Sequence, residues 1–169
     1  MQKILVVGYG SIGKRHVKNL LKFSDVCVII CTKQKLKSEK RKIFFHSIKE
    51  CLNEKPTMAF ITNESSYHIK TAIKLAGSNL HLFIEKPLSN SLSETLILKK
   101  LINERKLITQ LGCNLRFYPP FKKIKKLVDN QIVGKPISVQ VETGSFLPDW
   151  HPYENYRKGY AAKKELGGG

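Results

Sequence analysis

The chain has 169 residues, enough for one proper core and the start of a second unit. Its 30 Lys and Arg against 13 Asp and Glu give a formal net charge of +17, a balance that suits a nucleic-acid partner, yet the lysines scatter over nearly every predicted helix, cluster only over 33–42 and 122–126, and accompany no nucleic-acid module pattern. No apolar run reaches membrane-span length, Cys27, Cys31, Cys51 and Cys113 lack paired zinc spacing and the histidines lack ligand spacing, so neither a membrane nor a metal site is expected and the thiols read as reduced in a cytoplasmic protein.

The opening Met1-Gln2-Lys3-Ile4 belongs to a first core strand rather than a signal peptide. Residues 3–7 run straight into Gly8-Tyr9-Gly10-Ser11-Ile12-Gly13. A buried strand ending in G-x-G-x-x-G must turn tightly, let a pyrophosphate approach the backbone and pack the next helix close to the sheet, and each task excludes a side chain. Backbone N–H groups at the following helix start would face the phosphates. Ile12, Val17, Leu20 and Leu21 are spaced for one buried helix face. The competing reading is a tight strand-to-helix turn without a ligand.

A second strand is expected over Val26–Cys31, and its end is where ribose selectivity is read. Thr32 and Lys33 stand where NAD-preferring enzymes usually place a carboxylate. A hydroxyl and an ammonium suit a 2′-phosphate better than a bare diol, so the cofactor reading is NAD(P), with NADP slightly favoured. Alternatively, Lys33 simply opens a solvated loop with Lys35, Lys37, Lys40, Arg41 and Lys42.

Residues 57–62 predict another core strand, and a helix from about Ser66 buries Ile69, Ala72, Ile73 and Ala76 before ending with Gly77 as its C′ residue. A strand over 80–84, a helix over 93–104 and a late strand over 107–111 complete an alternation that implies an α/β fold: a Rossmann-type, doubly wound parallel sheet with right-handed crossovers. Ligands of such sheets lie beyond the carboxyl ends of the strands, which puts Gly8, Thr32, Thr62, Asn63, Glu85 and Lys86 around one cleft.

Lys86 can be read as chemistry. Oxidising an alcohol by hydride transfer requires the hydroxyl proton to leave, and burial or neighbouring cations lower an ammonium pKa from about 10.4 toward the range where a lysine does that work. Pro87 stiffens the backbone after it and leaves room for a cis bond. A surface lysine paired with Glu85 is the plain alternative.

A boundary is expected near residues 116–119, giving a nucleotide-binding domain over 1–117 and the beginning of an incomplete α+β substrate domain over 118–169. Pro119-Pro120 suits a helix start, with Phe121, Ile124, Leu127 and Val128 as its apolar face. Ile137, Val139 and Val141 alternate with polar residues as a half-buried strand would. Residues 144–160 are aromatic and polar.

In order and spacing, these motifs resemble the N-terminal part of the Gfo/Idh/MocA family of oxidoreductases. The resemblance rests on the glycine loop with Arg15-His16 after it, Thr62-Asn63 with His68, Gly77, Glu85-Lys86-Pro87-Leu88-Ser89, Asn114-Leu115-Arg116-Phe117 and Gly134-Lys135-Pro136. It implies hydride transfer between a nicotinamide cofactor and a sugar, cyclitol or sugar derivative, with Lys86 as the catalytic or substrate-orienting lysine and Glu85 near the nicotinamide ribose. It implies cofactor contacts from Gly8, Gly10, Ser11, Ile12, Gly13, Thr32, Lys33, Thr62, Asn63, His68, Glu85 and Lys86. It also implies substrate contacts near Arg116, Trp150 and His151, and a homo-oligomer in the full-length form, with neither nucleic acid nor membrane as partner. The family's usual active site adds an aspartate and a histidine from a helix after a glycine-rich stretch resembling 165–169. The expectation is therefore a piece of a longer enzyme, or a truncated product with cofactor binding and little turnover. A non-catalytic NAD(P)-binding regulator is the alternative from another class.

Overall fold

The computed structural model describes residues 1–150 and 155–168. Six strands form one sheet: β1 (Gln2–Val7), β2 (Val26–Cys31), β3 (Lys42–Phe45), β4 (Met58–Ile61), β5 (His81–Ile84) and β6 (Thr109–Leu111). Their order is β3-β2-β1-β4-β5-β6, and every neighbouring pair is parallel. This is the Rossmann order, with the direction of strand progression reversing between β1 and β4. A crevice opens there at the carboxyl ends, and the glycine turn leaves from one side of it.

The near-continuous apolar runs of β1 and β2 follow from burial on both faces of a parallel sheet. Alternate residues serve opposite layers. Ile4 and Val6, with Val28 and Ile30, pack under Val17 of α1 (Ser11–Leu20). Leu5, Ile29, Ala59, Ile61 and Leu82 face the other way, toward Ile69, Ala72, Leu75 and Ala76 of α3 (His68–Gly77) and Leu98 of α4 (Thr95–Glu104). Cys51, on α2 (Ile48–Asn53), completes that second core. All four cysteines are free thiols. Among the described residues, no helix is long and apolar enough to cross a membrane.

Several local expectations are corrected. Lys42 does not end a solvated loop but opens β3, whose residues 42–45 are all half-buried at the sheet edge. Helix α2 follows from a capping box: the Ser47 hydroxyl accepts from the Glu50 amide at 3.2 Å, and the Glu50 carboxylate accepts from the Ser47 amide at 2.9 Å. Gly77 is not the C′ residue of α3 but its last helical residue. The left-handed position is Asn79, with φ 63°, and the Leu80 amide reaches back to the Leu75 carbonyl at 3.2 Å in a Schellman closure. Strand β6 and helix α4 start two residues later than expected, at Thr109 and Thr95.

Residues 118–169, expected to begin a second unit, differ more. Helix α5 (Pro119–Asp129) forms with proline in its first turn, but its intended apolar face is open, with Phe121, Ile124 and Val128 all exposed. The strand expected over 137–141 does not form: Ile137 is 100% exposed and Val139 79%, and no regular structure is assigned there. A strand needs a neighbour for its ladder and a layer beneath it, and no described segment supplies either.

Candidate active site

The glycine turn is built by mutual exclusion of side chains. Gly8 has φ +97°, and a Cβ on it would lie 2.6 Å from the Asn63 backbone nitrogen, so the chain can leave β1 here only as glycine. A Cβ on Gly13 would be driven into the Gly8 carbonyl oxygen, which forces α1 to start against the turn. Thr62, buried at the end of β4, donates its hydroxyl to the Val7 carbonyl at 3.0 Å and the Gly8 carbonyl at 2.9 Å.

Gly10 differs: a Cβ there would meet nothing within 4 Å, and the residue lines the large cleft. The α1 N-terminus beside it has no side-chain cap and no acidic residue in its first turn. Its first amides therefore lack intrahelical acceptors and face open space, a ready partner for an anion. The cleft measures about 1030 Å³. A glycine that leaves room, uncapped amides and a volume at the upper end for small-molecule sites fit a dinucleotide.

Along the cleft, Thr32 is buried, and its hydroxyl accepts from the Gln34 amide at 3.2 Å. Its carbonyl faces His46 Nδ1 at 3.0 Å. Lys33 is exposed and lines the cleft, and among the described residues it forms no ion pair. No carboxylate stands at this strand end. His46 and Ile48 line the same region, where the half-buried β3 and the short α2 leave little periodic signal in the sequence.

At the end of β4, Asn63 donates through Nδ2 to Thr71 Oγ1 at 3.1 Å, while its Oδ1 is buried without a hydrogen-bond partner. His68 is 1% exposed, with Nε2 2.9 Å from the Asn63 carbonyl oxygen and Nδ1 2.7 Å from that of Pro87. Both ring nitrogens thus meet backbone, and His68 ties the loops after β4 and β5 together in the cleft wall itself.

Glu85 and Lys86 follow β5 into the same cleft, and the Lys86–Pro87 peptide is cis. The Lys86 amide donates to Glu85 Oε2 at 3.1 Å, and His16 of α1 meets Glu85 Oε1 through Nε2 at 2.8 Å. Burial works to raise the Glu85 pKa, but the hydrogen bonds from His16 and the Lys86 amide, with both positive charges nearby, outweigh it and leave the carboxyl below its ordinary value. Lys86 itself is exposed, so the desolvation expected around its ammonium is not supplied by the described residues. The opposite wall comes from residues 156–166, including Tyr156, Tyr160 and Leu166. Gly167, with φ +85°, abuts Ser65 and Ser66 so closely that a Cβ would lie 2.9 Å from Ser65 Cβ.

The fold thus brings the glycine loop, Thr32, Lys33, Thr62, Asn63, His68, Glu85 and Lys86 to one cleft. Arg116 is exposed on a turn (Asn114–Phe117) and does not line it. His151 and the side chain of Trp150 lie outside the described residues. His16 was noted in the sequence only as a neighbour of the glycine loop. Its pairing with Glu85 spans 69 residues and had no local signal.

Sheet order and glycine turn define the class: a Rossmann nucleotide-binding protein. Residues 2–113 match the oxidoreductase family Gfo/Idh/MocA, with its NAD-binding Rossmann fold, and the chain belongs to that family. It is 31% identical over 139 residues to the uncharacterized oxidoreductase YrbE of Bacillus subtilis (strain 168), a match covering 78% of this chain and 41% of that one. It is 31% identical over 159 residues to the myo-inositol 2-dehydrogenase of Thermotoga maritima, covering 86% and 46%. Among solved structures, scyllo-inositol dehydrogenase from Lactobacillus casei, with bound NAD(H) and scyllo-inositol, superposes with a TM-score of 0.66 at 23% identity, over 80% of this chain and 43% of that one. At that identity the likeness carries the fold. The chain spans less than half the length of these relatives.

Proposed function

We propose that this chain forms the cofactor half of an NAD(P)-dependent oxidoreductase that moves a hydride between the nicotinamide and a CH–OH or C=O carbon of a sugar, cyclitol or sugar derivative. The observation that carries the reading is the convergence of the glycine turn and the Glu85-Lys86 pair on one cleft at the switch between β1 and β4. The inositol dehydrogenases among the relatives support the substrate class.

Gly8, Gly10 and Gly13 shape the pyrophosphate cradle, with the Ser11 and Ile12 amides facing it. Thr32 and Lys33 flank the adenosine ribose, and an unpaired ammonium there favours a 2′-phosphate, so NADP is the favoured form. Thr62, Asn63 and His68 hold the wall between the two halves, and Glu85 approaches the nicotinamide ribose. When bound, the nicotinamide supplies a hydride acceptor or donor. Lys86, as the free amine, takes the hydroxyl proton during oxidation, and as ammonium returns it to the oxygen during reduction. Arg116, Trp150 and His151 belong to the substrate side. The cofactor unit ends at residue 117, residues 118–169 begin the substrate unit, and the whole protein works as a cytoplasmic homo-oligomer.

The test is isotopic. The chain is incubated with NAD(P)⁺ and cyclitols or aldoses deuterated at their hydroxyl-bearing carbons, and the reduced cofactor is weighed by mass spectrometry. Slow deuterium transfer that Lys86→Met removes is the expected result. Cofactor binding with no transfer from any such substrate contradicts it and favours a non-catalytic dinucleotide-binding role.

A further inference from the structure

Behind the cleft wall, His16 is held by three side chains. Its ring packs against Phe60 and Phe83 at centroid distances of 5.2 and 5.1 Å, and those two rings stack on each other at 4.8 Å. The third contact is polar, Nε2 to Glu85 Oε1 at 2.8 Å. An ionised carboxylate only accepts, so Nε2 carries the proton and donates. The second carboxylate oxygen takes the Lys86 amide at 3.1 Å. Gly112 closes the remaining side, where a Cβ would lie 3.1 Å from Glu85 Oε2. The two side chains are only 18% and 12% exposed, and Glu85 lines the cleft while His16 does not.

We propose that His16 is a positioning residue for the dinucleotide, aiming the Glu85 carboxylate at the nicotinamide-ribose end of the cleft from the far side of the wall. The inference rests on the reading of the cleft given above. A glutamate with free rotation would lose side-chain entropy on gripping a ribose hydroxyl. Here that order exists before the ligand arrives, so less is lost on binding. The stacked Phe60–Phe83 pair fixes the donor, the donor fixes one oxygen, the Lys86 amide fixes the other, and any side chain at position 112 would crowd the carboxylate. The titratable groups facing the carboxylate are His16 from α1 and Lys86 from its own loop, while β6 is followed by Gly112. Without the imidazole donor, burial would dominate and the carboxyl would take a proton more readily.

The experiment compares NADH and ADP binding by the wild-type chain, His16→Phe and His16→Gln. Phenylalanine keeps a ring against the Phe60–Phe83 pair but removes the donor, whereas glutamine restores an N–H at a similar reach. His16→Phe is expected to weaken NADH binding about tenfold, the scale of one hydrogen bond to a charged group, and increasingly so as pH falls. ADP, which lacks the nicotinamide half, binds unchanged, and His16→Gln recovers most of the NADH affinity. His16→Phe binding NADH as tightly as wild type, or losing ADP equally, overturns the proposal while leaving the dinucleotide reading in place. Should His16→Phe fail to fold, Glu85→Gln supplies the comparison: a selective loss of NADH is expected, and unchanged NADH binding overturns the proposal. A wild-type chain that binds ADP but not NADH removes the reading beneath it as well.

Discussion

The Thr62 hydroxyl stands 2.9 Å from the Gly8 carbonyl oxygen and 3.0 Å from that of Val7, sewing the end of β4 to the end of β1 across the point where the sheet reverses direction. The contact to Val7 is buried and that to Gly8 partly so, and each carbonyl would lose a partner without the hydroxyl. Thr62→Val keeps the side-chain shape and removes the donor. It should cost about 1–3 kcal/mol of stability, read as a lower urea midpoint, and weaken dinucleotide binding as the turn loosens, whereas Thr62→Ser should retain most of both.

The glycines of the turn should separate by function. Gly13→Ala pushes a methyl into the Gly8 carbonyl oxygen, which is backbone and cannot swing aside. We expect loss of several kcal/mol or failure to fold, seen by circular dichroism and thermal melting. Gly10→Ala meets nothing within 4 Å and should melt like wild type, while its methyl intrudes on the pyrophosphate and weakens cofactor binding.

Glu85 links the site to acid stability. Its folded-state pKa lies below the ordinary carboxylate value, through hydrogen bonds from His16 and the Lys86 amide that outweigh burial. In the window between the folded and unfolded values the unfolded chain binds more protons, so this contribution is present above the unfolded pKa of about 4.3 and is lost as pH falls through the folded one. Glu85→Gln should flatten the acid limb of a stability-versus-pH curve. A limb as steep in the variant as in the wild type would assign the acid sensitivity elsewhere.

Gly77 offers a test of the corrected helix end. It is helical, and a Cβ would meet nothing within 4 Å, so Gly77→Ala should stabilise the protein by about 0.5–1 kcal/mol and raise its melting temperature. Were Gly77 the left-handed C′ residue, the same change would destabilise.

These cases show which features were legible in the sequence. Contiguous apolar runs announced β1, β2, β4 and β5, because a strand buried on both faces writes its signal locally. Strand β3 was hidden because its Lys42-Ile43-Phe44-Phe45 is only half-buried and follows a lysine-rich stretch. Helix α2 did carry a local sign, Ser47 three residues before Glu50, which its short length obscured. The alternation at Ile137, Val139 and Val141 was visible, yet a strand is a property of a pair, and no described segment pairs with it. At the site, the glycine turn and Lys86 were motif-borne. The His16–Glu85 contact, and the return of Tyr156 and Tyr160 to the cleft, are tertiary and left no spacing to read.

The central claim is that the cleft above Gly10 holds a nicotinamide dinucleotide. Its most direct test is titration of the purified chain with NADH and NADPH, following nicotinamide fluorescence at low and moderate salt. The account predicts saturable binding that Gly10→Trp abolishes, with NADPH the tighter ligand and its advantage lost in Lys33→Ala. A folded chain that binds neither dinucleotide, or binds both equally well with Trp at position 10, would contradict it.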